Sequence, residues 1–249
     1  MEPFDPLSYA NLGDSISRAL DRQPLQKLSS LARFEGVGVY VLYYSGDFHP
    51  YRLLSEANRK NPGSVPIYIG RASAENSRTG MNAAQKGFDY VPNGDPTQSH
   101  LQIGNKLYNR IDDHRKSIIL GDGIDVKDFQ FRALSLTPTW VALAEIISIR
   151  NHQPIWNSYL TGLGNHNPGS GRSKSVRSMW DTLHPGRAWA EGLAPRVESP
   201  ETLGIGCHEY LEKQLNSTAS GEGSNLEEAL ALDMYLPDLR PPEGESSTD

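Results

Sequence analysis

Two short segments limit what this chain can become. One is GVGVYVLYY, Gly36 to Tyr44, and the other is VPIYIGRA, Val65 to Ala72. Both are rich in β-branched and aromatic residues, as buried strands are, and strand side chains alternate between faces. In the first, Val37, Val39, Val41 and Tyr43 share one face, and Gly38, Tyr40, Leu42 and Tyr44 the other. In the second, Ile67 and Ile69 share one face, opposite Pro66, Tyr68 and Gly70. Antiparallel pairing would set Tyr40 and Tyr68 side by side. A tyrosine in a sheet is ordinarily packing, so chemistry there needs partners elsewhere in the chain.

Residues 8 to 32 predict a helix broken at Pro24, and residues 1–30 read as an N-terminal helical arm. A polar, partly helical insert separates the two strands, and residues 73–100 read as a long loop or insert. A helix is expected from about Asn105 to Ser117, with Leu107 and Ile111 apolar and with Arg110 and His114 four apart on a neighbouring face. Asp128 to Leu136 alternates as a strand. Thr137 and Pro138 then have the form of an N-cap and first helical residue, opening a largely buried helix that stops before Pro154. Glu145 stands alone among its apolar residues, in line with Ser148 and His152. Thr161 to Ser173 is a glycine-rich loop, and two further helical pieces follow. From Ser217 the composition turns to Ser, Gly, Glu and Pro, which reads as a disordered acidic tail over 217–249.

Composition narrows the class. The single cysteine, Cys207, excludes an internal disulfide and a cysteine-built zinc site. No apolar run approaches the ~20 residues of a membrane helix. The opening MEPFDPLSYANLGDS lacks the basic start and apolar core of a signal peptide. A cytoplasmic protein is therefore expected. The net charge of −6 is unevenly spread: from Ser217 onward there are eight acids and one base, Arg240, so that segment carries −7 and the rest +1. Basic residues gather at Lys106, Arg110, Arg115 and Lys116, and at Arg172, Lys174, Arg177 and Arg187. Such local patches govern phosphate binding more than the total does, although each alone is ordinary solvated surface.

The order strand–strand–helix–strand–helix, carrying GVY, YIG, Arg110, His114, Glu145 and Asn157, resembles the GIY-YIG nuclease family. The long insert between the tripeptides, with YNRIDDH, WN, GLGNHNPGSGR and HPGRAWAE, is similar to the type II restriction endonucleases of that family that cut CCGCGG, the isoschizomers of SacII. The similarity covers roughly residues 31 to 190 and, more loosely, the helical piece to about 215. It implies an α/β (α+β) fold with a small mixed or antiparallel sheet flanked by helices. The nuclease domain would span 31–216, with DNA-recognition inserts at 73–100 and 161–190.

The resemblance also implies roles. Tyr40 is the general base, with His114 accepting its hydrogen bond, and Tyr68 orients water or phosphate. Arg110 grips phosphate oxygens, for which a guanidinium fork is suited. Glu145 holds one Mg²⁺ near the leaving oxygen, with Mn²⁺ as a substitute, and a lone carboxylate argues for one ion rather than two. Asn157 places the phosphate or a ligand. Arg71 stands where related restriction enzymes carry lysine, so its part in tuning a tyrosine is open. Arg71, Lys106, Asn165, His166, Asn167, Arg172 and Lys174 are the candidate DNA contacts, since Arg and Asn side chains pair readily with guanine and adenine edges. The implied partners are double-stranded DNA, a second copy of the chain in a homodimer, and a methyltransferase protecting the same site.

Other readings compete. Gly164 to Gly171 spaces two glycines as a P-loop does, but lacks the Lys-Ser/Thr and the leading strand. Asp125-Val126-Lys127 has the form of a PD-(D/E)xK ending, yet lacks an upstream partner and reads as a turn. A GIY-YIG repair or homing enzyme, or an inactive sequence-specific DNA-binding protein on the same fold, are the functional alternatives.

Overall fold

A computed structural model describes residues 5, 8–73, 104–167 and 175–220, with side chains at 9–10 and 217–220 excepted. Its centre is a four-stranded sheet in the order β1 (Gln26–Lys27), β4 (Phe129–Ser135), β2 (Gly38–Tyr44), β3 (Tyr68–Ala72). Each neighbouring pair is antiparallel. The fold is thus the expected α/β type, with an antiparallel rather than mixed sheet. The central β2 is buried along its whole length, as its uninterrupted apolar composition requires.

Both faces are covered, which explains the two alternating sets in β2. On one side Val39, Val41, Tyr43 and Ile69 pack with Leu20 of helix α1 (Tyr9–Asp21) and Ala144 of α4 (Pro138–His152). On the other, Tyr40, Leu42 and Tyr44 meet Leu107, Ile111 and Ile118 of α3 (Lys106–Leu120). That face continues into Tyr51, Trp156 and Trp180 and into Leu203, Cys207 and Leu211 of a long helix, Pro200–Ser220. Helix α2 (Arg52–Lys60) fills the insert between β2 and β3.

Several expectations shift. Ile67 and Ile69 do not share a face: β3 starts only at Tyr68, and Ile67 joins the α3-side core while Ile69 joins the other. The N-terminal residues are not a separate arm, because β1 pairs with β4 and Leu20 is buried against the sheet. Apolar residues at Ile16, Leu20 and Leu25 need that cover. Thr137 stands at the N-cap of α4 but its side chain makes no capping bond. The last helix runs to Ser220, four residues into the expected tail. Asp125 to Lys127 is a turn closed by their own ion pair, as expected. The 73–100 insert, apart from its first residue, lies outside the described residues, as do Arg172, Lys174 and the tail beyond Ser220.

Candidate active site

The register of the two strands builds the floor of the site. Tyr40 stands opposite Gly70, and Tyr68 opposite Leu42, so the two tyrosines are diagonal neighbours on one face with ring centroids 6.1 Å apart. The glycine between them is what allows this. A Cβ on Gly70 would lie 2.5 Å from Tyr40 Oη and 2.8 Å from Tyr68 Cε1. Gly38 serves the other tripeptide: a Cβ there would sit 2.0 Å from the Leu134 carbonyl oxygen, and the backbone has φ of 154°.

Helix α3 forms the wall. His114 is buried, with its ring 5.8 Å from Tyr40 and 5.0 Å from Tyr68. Two buried polar atoms in this cluster, Tyr40 Oη and His114 Nε2, make no hydrogen bond. Buried polar atoms are ordinarily satisfied, and exceptions mark places where a ligand or water belongs. The expected Tyr40–His114 hydrogen bond is therefore not formed in the free chain, although its partners adjoin. Burial pushes the Tyr40 phenol well above its usual value; Tyr68 raises it further, and Arg110 draws it down. Tyr68 is raised by burial and lowered by Arg110. Burial, then the cations Arg110 and Arg187, hold His114 well below the ordinary histidine value. The free site thus contains neutral phenols and a neutral imidazole.

Glu145 comes from the opposite side of the sheet. Helix α4 packs against the edge strand β3, and Glu145 meets Arg71 there, Oε2 to Nε at 3.0 Å. Burial raises its carboxyl, and Arg71 followed by Arg110 lowers it. Glu145 also acts on both phenols, so it shares their field. Arg71 lies on the face away from Tyr68, and Arg110 is the cation that draws the phenols down.

Asn157 is engaged by the edge of β3. Its Oδ1 accepts from the Ile69 N–H and its Nδ2 donates to the Ile69 carbonyl, both at 2.8 Å. The amide copies a strand partner on the open edge of β3, where the Trp156 N–H also bonds the Ile67 carbonyl at 3.0 Å. Asn157 therefore holds the strand between Tyr68 and Gly70.

Comparison with known families matches residues 32–211 to the Eco29kI GIY-YIG domain. The chain belongs to that family. It is a GIY-YIG restriction-endonuclease domain, and DNA is the substrate of such a nuclease. A search of curated proteins found no match. Among the described residues no helix is long and apolar enough to cross a membrane.

In this GIY-YIG nuclease the 162–166 segment also reaches the site, which the sequence did not reveal. Gly164 lies so close that a Cβ there would be 3.0 Å from Arg110 Nη2 and 3.6 Å from Tyr68 Oη. His166, a candidate DNA contact, has its Nε2 3.0 Å from Arg110 Nη1. Asn165, His166 and Asn167 line, with Arg110 and His114, a cleft of about 200 Å³. Lys106 opens α3. Several described members of the basic clusters already have partners within the chain. Arg115 and Lys116 pair with Asp112, and Arg177 donates to the Ala190 and Glu191 carbonyls. Arg187 is buried against Asp181.

No group of three or more His, Cys, Asp or Glu able to hold a metal occurs among the described residues. The donor set still fits one hard cation. Mg²⁺ keeps several waters and takes one or two carboxylates plus substrate phosphate. Glu145 offers such a carboxylate, and the orphaned Tyr40 Oη can face an added ligand.

Proposed function

We propose that the chain is a type II restriction endonuclease that hydrolyses both strands of DNA at a specific site with Mg²⁺. The observation that carries this is the gathering of Tyr40, Tyr68, Arg110 and His114 on one sheet face, two of them with buried unpaired polar atoms, with Glu145 at the adjoining edge. Arg110 is the group suited to grip the scissile phosphate. His114, kept neutral, accepts the Tyr40 proton, and Tyr40 then accepts one from the attacking water. Tyr68 orients that water or the phosphate. Glu145 would hold the ion, which supplies charge stabilisation at the phosphate and leaving oxygen. Asn157 and Gly70 fix the relative positions of the two tyrosines.

The site we propose is CCGCGG, cut after its fourth base to leave a two-base 3′ overhang. Support comes from the family match, since Eco29kI is a SacII isoschizomer, and from the resemblance to the CCGCGG-cutting branch. A palindrome read by a chain with one active site calls for a two-fold homodimer, one subunit per strand. A methyltransferase protecting the same hexamer is the accompanying partner. Plasmids with and without CCGCGG, incubated with the protein and Mg²⁺, test this. Discrete, metal-dependent fragments ending within that hexamer are expected. Random nicking would point to a repair or homing role, and tight binding without cleavage to an inactive fold.

A further inference from the structure

Arg187 is 3% exposed and Asp181 2%. All five N–H donors of the guanidinium are used. Nε and Nη2 reach the two carboxylate oxygens of Asp181 at 2.6 and 2.7 Å. The remaining three donate to the backbone carbonyls of Gly162, Leu163 and Asn165 at 2.9 to 3.2 Å. The plane is further held over the rings of Trp180 and Trp189, 4.7 and 4.8 Å from their centroids. A guanidinium saturated in this way binds no phosphate. It fixes a backbone.

The backbone it fixes is the one that touches Arg110. The Gly164 carbonyl accepts from Arg110 Nη2 at 3.5 Å, and His166 Nε2 lies 3.0 Å from Nη1. Arginine only donates, so His166 must present a lone pair at Nε2 and carry its proton on Nδ1. Without these acceptors, a long half-exposed side chain would sample many rotamers before each phosphate encounter.

We propose that His166 and Arg187 are positioning residues for Arg110: Arg187 clamps the 162–165 backbone, and the clamped segment presents His166 and the Gly164 carbonyl to aim the Arg110 fork. The consequence drawn for cleavage rests on the nuclease reading of Arg110. The contact itself does not.

Two measurements on the full chain test it. The first is nitrogen-15 NMR of the histidine rings at neutral pH. The Nδ1–H tautomer of His166 is expected in the wild-type chain, and its signals should change in Arg110→Ala. An Nε2–H tautomer, or signals indifferent to that change, overturns the contact. The second is single-turnover cleavage with DNA affinity measured beside it. In His166→Leu the cleavage rate should fall roughly 10- to 100-fold, the scale of a misplaced catalytic group, while DNA affinity is nearly kept. His166→Gln, which restores an acceptor, should recover most of the rate. Arg187→Lys, which keeps the charge beside Asp181 but loses the fork, should resemble His166→Leu. Loss of affinity with unchanged rate would make His166 a base contact and overturn the proposal, as would a glutamine variant no better than leucine. A wild-type chain that leaves DNA uncut counts against the nuclease reading, and the spectrum then decides the contact alone.

Discussion

At the scale of single residues, the site depends on small groups placed between large ones. Gly70→Ala would drive a methyl into Tyr40 and Tyr68, both packed in the sheet face. Such overpacking costs about 1–3 kcal/mol, and cleavage should be lost because the two rings are displaced; an active Gly70→Ala protein would refute this geometry. Asn157→Ala leaves the Ile69 N–H and carbonyl without their partners on a half-buried edge. A loss of about 1–3 kcal/mol is expected, read as a lower urea midpoint, together with slower cleavage at unchanged DNA affinity. Arg71 lowers the carboxyl of Glu145, so Arg71→Ala should move the acid limb of the pH–rate profile to higher pH. A limb that stays in place would separate Glu145 from the rate-determining ionisation.

At the scale of elements, β2, β3 and the helices around them were readable because their patterns are local. A period of two set the faces of GVGVYVLYY, and a four-residue interval put Arg110 and His114 on one helix side. What could not be read depends on distant backbone. The strand-edge bonds of Asn157 beyond α4 were hidden because an amide has no periodicity that shows which edge it serves. Arg187 looked like surface charge because its five acceptors lie in Gly162 to Asn165 and Asp181, none of which mark themselves as partners. Ile67 fell on the other side of the sheet because strand alternation begins only where the strand does. Glu145 stood out by its isolation in an apolar helix, but its ion pair with Arg71 on the same face of β3 needed the packing of α4 on the sheet.

At the scale of the whole molecule, the buried histidines tie stability to pH. His184 donates through Nδ1 to the Asp122 carbonyl and accepts through Nε2 from Tyr51, whose oxygen accepts from Trp156. Burial holds it down to about 4. The unfolded chain protonates first, near the ordinary 6.5. Stability from this group is therefore complete above that value and is lost as pH falls toward about 4. The loss is on the order of 3 kcal/mol, and His114 adds to it in the same direction. Urea unfolding across this range should show it, and a flat profile would contradict it. The acidic residues beyond Ser220 oppose a phosphate backbone. Truncation after Ser220 should raise nonspecific DNA affinity most at low salt, where charge acts furthest; equal affinities would remove that role.

The central claim is that one sheet face, with its helix wall and Glu145 at the edge, hydrolyses DNA. Single-turnover cleavage of a CCGCGG duplex with Mg²⁺, comparing wild type with Tyr40→Phe and Glu145→Ala, tests it most directly. Tyr40→Phe removes one buried oxygen that has no hydrogen bond, so the fold and DNA affinity should persist while the rate falls by roughly 10²-fold or more, the scale of a lost general base. Glu145→Ala should likewise bind without cutting. Either variant cutting at the wild-type rate would contradict the account.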